Sequence, residues 1–216
     1  ADNLEHEMRT PLAGISASLK NMGSELDNTP EHVTRYLDWA LADVARLESM
    51  LSAIRDASNL PDALCRDVKE DFELDKAIEL WHVYGWQQTF SQADIVYQKP
   101  EEPVMLHADP GRIRQMLDKL VENAVSFHNE GTPIEISLVR QHTTIELRVA
   151  NQGPTIPKEL QPQIFNSMVS YRNHTTATPH LGLGLYIVQT IVEHQQGTVR
   201  VLPSGDDQRT IFLVTF

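Results

Sequence analysis

The chain has 216 residues, 41 % apolar and 22 % charged, enough for one large globular domain or two small ones. Its formal net charge of −12 argues against a nucleic-acid surface, which needs clustered Lys and Arg to meet phosphate. A nucleotide can still bind where a metal ion, a helix N-terminus or a few basic side chains reverse the local field.

Residues 1–60 read as helical. Leu4, Met8, Leu12, Ile15, Leu19, Met22 and Leu26 follow 3- and 4-residue steps and form one apolar stripe. Asp27-Asn28-Thr29-Pro30 breaks it; Thr29 suits an N-cap and Pro30 a first helical position. Val33, Leu37, Ala40, Val44, Leu47, Leu51 and Ile54 then form a heptad seam. Two helices joined by a short turn make an antiparallel hairpin, whose stripe is covered when two hairpins pair as a four-helix bundle. A homodimer through residues 1–60 is therefore expected. Asn59-Leu60-Pro61-Asp62 reads as the helix exit and residues 61–71 as a linker holding the single cysteine, Cys65. A lone cysteine excludes an intrachain disulfide and fits a reducing compartment.

Residues 72–216 show a mixed pattern. A helix is expected over Asp75–Thr89, strands near Ile95–Tyr97 and Val104–Leu106, and a strong helix from Asp109-Pro110 to Phe127. Ile134–Arg140 and Thr144–Ala150 read as a strand pair, Lys158–Ile164 as a short helix, Gly182 to His194 as another helix, and Val199–Leu202 with Thr210–Phe216 as a closing hairpin. Helices alternating with antiparallel strands predict an α+β two-layer sandwich behind the helical hairpin.

Several residues carry chemistry. At about 100° per residue, His6 falls about 160° from the stripe of its helix, in solvent, with Thr10 one turn on. Pro11 costs a helix interior ~3 kcal/mol, and a bend beside a working residue is one reason to keep it. A neutral imidazole can attack phosphorus, and Glu7 is placed to hold its second nitrogen. On the helix after Pro110, Asn123 and Lys119 share one flank of the apolar stripe, one turn apart. An Asn amide oxygen suits Mg²⁺, which also takes phosphate oxygens and water. Gly182 and Gly184 open a helix, where backbone and partial positive charge can meet phosphate. The polar stretch Asn166 to His180 is expected to form a mobile lid and carries Arg172.

Taken in order, His6-Glu7-Met8-Arg9-Thr10-Pro11-Leu12, Asp118-Lys119-Leu120-Val121-Glu122-Asn123-Ala124, Asn151-Gln152-Gly153-Pro154, Phe165 and Leu181-Gly182-Leu183-Gly184-Leu185 resemble the H-, N-, first glycine, F- and second glycine boxes of sensor histidine kinases. The resemblance runs over essentially the whole chain. It implies a dimerisation and histidine-phosphotransfer hairpin followed by a Bergerat-type ATP-binding domain. It implies ATP with Mg²⁺ on Asn123, phosphoryl transfer to His6, and a response-regulator receiver domain as partner. Asn151 and Gly153 take the base-side box, Phe165 the F-box, and Lys119, Arg172, Gly182 and Gly184 the phosphates. Thr10 holds the place of a residue that positions water for dephosphorylating the regulator. The related water-activating ATPases carry a carboxylate where Lys119 stands, and lysine favours transfer over hydrolysis.

The chain also departs from that pattern. Asn151 replaces an aspartate that reads adenine; an amide can donate or accept, so weaker adenine selectivity is expected. Thr155, His180 and Ser126 replace two glycines and a basic residue. With Phe165-Asn166-Ser167-Met168-Val169-Ser170, the Asn151 box resembles a proteobacterial subgroup linked to dedicated sortase systems. The alternative to a kinase is a catalytically impaired scaffold, or a phosphatase, that binds a response regulator without using ATP. The chain opens on Ala1, without Met, in what reads as mid-helix. It is expected to be a piece of something longer, the cytoplasmic portion of an inner-membrane sensor whose span lies in the missing part; within these residues no apolar run approaches the ~20 that span a bilayer.

Overall fold

The computed structural model describes residues 12–20, 22, 31–166, 182–202 and 209–216. The expected hairpin turn at Asp27–Pro30, the expected site residues His6, Glu7 and Thr10, and Arg172 lie outside them. Residues 12–20 are helical (α1), as the stripe predicts. Helix α2 spans Glu31–Leu64, about 50 Å at 1.5 Å per residue. It does not stop at the expected exit: it runs through Pro61. Tertiary packing overrides the local cost of proline, because Leu60 and Leu64 are buried in the apolar core they share with the C-terminal helices and strands. Higher up, the heptad seam is only partly covered. Val44 is buried, whereas Leu47 is 46 % and Ile54 37 % exposed.

The stretch read as linker ends in a strand. β1 (Glu70–Glu73) pairs antiparallel with β3 (Met105–Ala108), setting Phe72 opposite Leu106. Only one apolar residue marks β1, so no alternation announced it. Helix α3 (Leu74–Trp81) continues through one π-helical turn, His82–Trp86, into the short α4 (Gln87–Thr89). These three pieces occupy the predicted single helix.

A second sheet has the order β2-β4-β5-β7-β6. Its strands are β2 (Ile95–Gln98), β4 (Ile134–Gln141), β5 (Thr144–Gln152), β6 (Thr198–Leu202) and β7 (Arg209–Thr215). Every pairing is antiparallel except β2 with β4, which is parallel. The antiparallel strands were expected and the parallel β2–β4 pairing was not: α5 (Pro110–Phe127) lies between these two strands in sequence, and a crossover of that length returns the chain in the same direction. Buried Ile134, Ile136 and Leu138 alternate with half-buried Glu135 and Ser137, so one face of the sheet takes the helices. α5 and α6 (Gly184–His194) pack on each other and contribute Met116, Leu120, Ile187 and Ile191 to the same apolar cluster. The result is the expected two-layer α/β sandwich behind helices. The predicted helix at Lys158–Ile164 is absent. The segment makes single turns, Gln161 N to Pro157 O at 3.2 Å and Ile164 N to Leu160 O at 3.1 Å. Pro162 has no N–H to continue a ladder.

Candidate functional site

The site is built around the C-terminal half of α5. Asp109 caps this helix, its carboxylate accepting from Arg112 N at 3.0 Å, and Pro110 fills the first position. The stripe Ile113, Met116, Leu117, Leu120 and Ala124 is buried. Lys119 and Asn123 sit half-buried on its flank, where the spacing places them. Lys119 Nζ contacts Glu122 Oε2 at 2.7 Å, so its charge is shared with a neighbouring carboxylate. Just past the helix, His128 Nδ1 meets Val125 O at 2.8 Å; the carbonyl can only accept, so Nδ1 carries the proton.

Two contacts bring the end of β5 to the end of α5. Asn129 N donates to Gln152 O at 2.8 Å. At Gly153 an added Cβ would lie 2.0 Å from Phe127 O, so only glycine allows this approach. Gly153 therefore closes a junction between the end of β5, which carries Asn151, and the end of α5, the helix that carries Asn123. Asn151 is almost fully buried, at 2 % exposure, yet among the described residues its Nδ2 reaches only Gln152 O at 3.5 Å, the limit of a hydrogen bond. Neither orientation of that amide is locked by this weak bond. Behind it Thr210, paired with Asn151 across the sheet, donates from Oγ1 to Pro154 O at 3.3 Å.

The second glycine box behaves differently at its two glycines. Gly182 has φ +68°, a conformation that favours glycine, and turns the chain into α6. Gly184 is the first helical residue, two positions later than predicted, and a Cβ there would meet nothing within 4 Å among the described residues. Among the described residues, packing does not require a glycine at 184. Phe165 is buried edge-on to Phe212, ring centroids 6.2 Å apart, so it anchors the chain to the sheet. His6, Glu7, Thr10 and Arg172 belong to the undescribed residues, and their positions stay expectations.

One cluster was not foreseen from the sequence. Asp118, in the N-box, accepts from Trp86 Nε1 at 2.6 Å and from Arg114 Nε at 2.9 Å. The Arg114 guanidinium lies 5.7 Å from the Trp81 ring and 5.9 Å from the Trp86 ring. The i,i+4 spacing of Arg114 and Asp118 was readable; the indole partner, supplied by the π turn, was not. Near β2, burial first, and then the charges of Asp75 and Glu79, push the Tyr97 phenol above its ordinary range. A hydrogen bond to Glu79 raises the exposed Lys99 ammonium. Among the described residues no group of three or more His, Cys, Asp or Glu converges to hold a metal ion.

Residues 108–216 match the family described as histidine kinase-, DNA gyrase B- and HSP90-like ATPases. The chain belongs to that family. Ahead of this stretch, residues 1–62 match the His Kinase A phospho-acceptor domain, which gives the two-domain order of sensor histidine kinases. The heme sensor protein HssS of Staphylococcus saprophyticus is 24 % identical over 99 % of this chain and 45 % of its own length. The sensor-like histidine kinase SenX3 of Mycolicibacterium smegmatis is 28 % identical over 92 % of the chain and 52 % of its own. The chain thus spans about half the length of these curated relatives. Among solved structures, full-length ShkA in complex with AMPPNP superposes with a TM-score of 0.73 at 22 % identity, covering 99 % of this chain and 44 % of that one. These histidine kinase folds agree with the helices and mixed sheet of this chain. No helix among the described residues is long and apolar enough to cross a membrane.

Proposed function

We propose that this chain is the catalytic region of a sensor histidine kinase, transferring the γ-phosphoryl group of ATP to His6 and then to an aspartate of a response-regulator receiver domain. The observation that carries the reading is the junction of α5 and β5. Gly153, two residues past Asn151, approaches Phe127 O, one helical turn past Asn123, and α6, which packs on α5, opens at Gly184; this supports the reading. Such a junction can hold a base at one end and phosphates at the other.

In this reading Asn151 contacts the base, and Gly182, Gly184 and Arg172 bind phosphate. Lys119 leaves Glu122 in part to add positive charge. Phe165 acts indirectly, by holding the start of the segment that carries Arg172. Asn123 offers an amide oxygen to Mg²⁺, which would neutralise phosphate charge. Glu7 holds one imidazole nitrogen so that the other attacks. The new N–P bond forms as the bond from the γ-phosphorus to the bridging oxygen breaks, and ADP leaves. Positioning and charge neutralisation are most of what such a transfer asks of a protein. Thr10 would place water when the regulator's phosphoaspartate is hydrolysed.

The division into a hairpin (1–60), a connecting stretch (61–71) and an ATP-binding domain (72–216) belongs to the same proposal. So does a homodimer through the hairpin, which would cover Leu47 and Ile54. We place the region on the cytoplasmic side of a membrane sensor. Within the family, the Asn151 and Phe165 boxes support assignment to the proteobacterial subgroup linked to dedicated sortase systems.

Calorimetry with ATP tests the nucleotide half. Binding is expected to require Mg²⁺ and to weaken at least tenfold in Asn123→Ala. Absence of Mg²⁺-dependent binding in the unaltered protein would leave the scaffold reading in its place.

A further inference from the structure

Three ties join the end of α2 to the α/β sandwich. Ala57, Leu60 and Leu64 belong to the same apolar cluster as Ile187 and Ile191 of α6, on which α2 packs. Beyond the helix, Asp67 N donates to Leu64 O at 3.2 Å, a turn that carries the Asp67 carboxylate inward. There Asp67 Oδ1 accepts from Arg112 Nε at 2.8 Å, with the aspartate side chain only 4 % exposed. Finally, Lys69 Nζ donates to His194 O at 3.4 Å, at the end of α6. Arg112 stands in the first turn of α5, steadied by Gln115 Oε1 at 2.9 Å. One ion pair therefore links the turn after α2 to the helix that carries Asn123.

This tie is firm but incomplete. Asp67 Oδ2 is buried without a hydrogen-bond partner among the described residues, so the carboxylate is held through one oxygen rather than by a two-pronged fork. A buried acceptor left unpaired is costly, and opening the pair would return it to water. The helix is weak at the same place. Pro61 has no N–H to give the Ala57 carbonyl, whereas the rest of α2 runs unbroken from Glu31 and offers no other hinge.

The role of this joint rests on the proposed kinase function. An imidazole that takes a phosphoryl group from ATP and passes it to an aspartate must meet two partners in turn. A domain fixed in one orientation serves at most one of them. We propose that residues 57–69 form a clasp between helical hairpin and nucleotide-binding domain, that the Asp67–Arg112 pair is its catch, and that the catch opens in every catalytic cycle.

Hydrogen exchange on the intact dimer, with Asp67→Asn and Arg112→Gln, tests this. Amides of residues 57–69 are expected to exchange at least tenfold faster in both variants, while those of β4 and β5 keep their protection. The charge-exchanged double variant Asp67→Arg/Arg112→Asp is expected to recover most of the lost protection. Labelling of His6 by ATP is expected to change at least threefold in the single variants. Unchanged exchange in both, or faster exchange with an unchanged labelling rate, would overturn the proposal. If the unaltered protein takes no label at all, the kinase reading and the cycle fall together, and the exchange data then decide only whether the clasp exists.

Discussion

At the scale of single residues, the site combines one steric necessity with one ambiguous amide. Gly153 is fixed by geometry: a methyl group 2.0 Å from the Phe127 carbonyl oxygen cannot be relieved by a side-chain rotation. Gly153→Ala should therefore push β5 away from α5. A loss of about 1–3 kcal/mol in denaturant unfolding is expected, as for other overpacked sites, together with weaker nucleotide binding. Asn151 is the opposite case. Its amide is buried but hardly restrained, its one bond among the described residues being 3.5 Å long, so it can present either its donor or its acceptor to a base. ATP and GTP are expected to bind within a few-fold of each other, and Asn151→Asp to restore at least tenfold preference for ATP. Competition binding measures both, and a strong ATP preference in the unaltered protein would sink this account of Asn151. The sequence identified both residues through their motif. It could not show that Gly153 is sterically forced, because the opposing atom is a backbone carbonyl far away in sequence. Lys119 was legible as a cation beside Asn123; its 2.7 Å contact with Glu122 is a further consequence of helical i,i+3 spacing.

At the scale of elements, local signals were reliable where propensity, capping and periodicity agreed. α5 is the clearest example. Asp109, Pro110 and the apolar stripe all point to one start, and the helix begins there. Asp109→Ala removes the acceptor for Arg112 N and should lower global stability by about 1 kcal/mol in chemical denaturation. Signals failed where tertiary packing decided. Pro61 and the polar residues around it read as an exit, but burial of Leu60 and Leu64 carries α2 onward to Leu64. β1 has too little pattern to read and exists because β3 offers it an edge. The π turn at His82–Trp86 has no signature in propensity at all. Its consequence is the Trp86–Asp118 bond, which ties the π turn to α5 and so helps to fix the helix carrying Asn123.

For the molecule as a whole, two-domain order was visible in the switch from heptad spacing to mixed helix and strand patterns near residue 60, and the family matches run in the same order. The manner of joining was not visible. Both parts contribute to one apolar cluster, which makes the connection a packed joint rather than a free tether. The partly exposed seam of α2 is what a second hairpin would cover in the proposed dimer.

The central claim is a chemical one, that the ATP-binding half delivers phosphate to an imidazole of the helical half. It is tested most directly by incubating the protein with Mg²⁺ and γ-labelled ATP and tracking the label. An acid-labile, base-stable label is expected on the unaltered protein and none on His6→Gln, with ATP affinity of that variant unchanged. Label that survives acid, or label that persists in His6→Gln, would contradict the account.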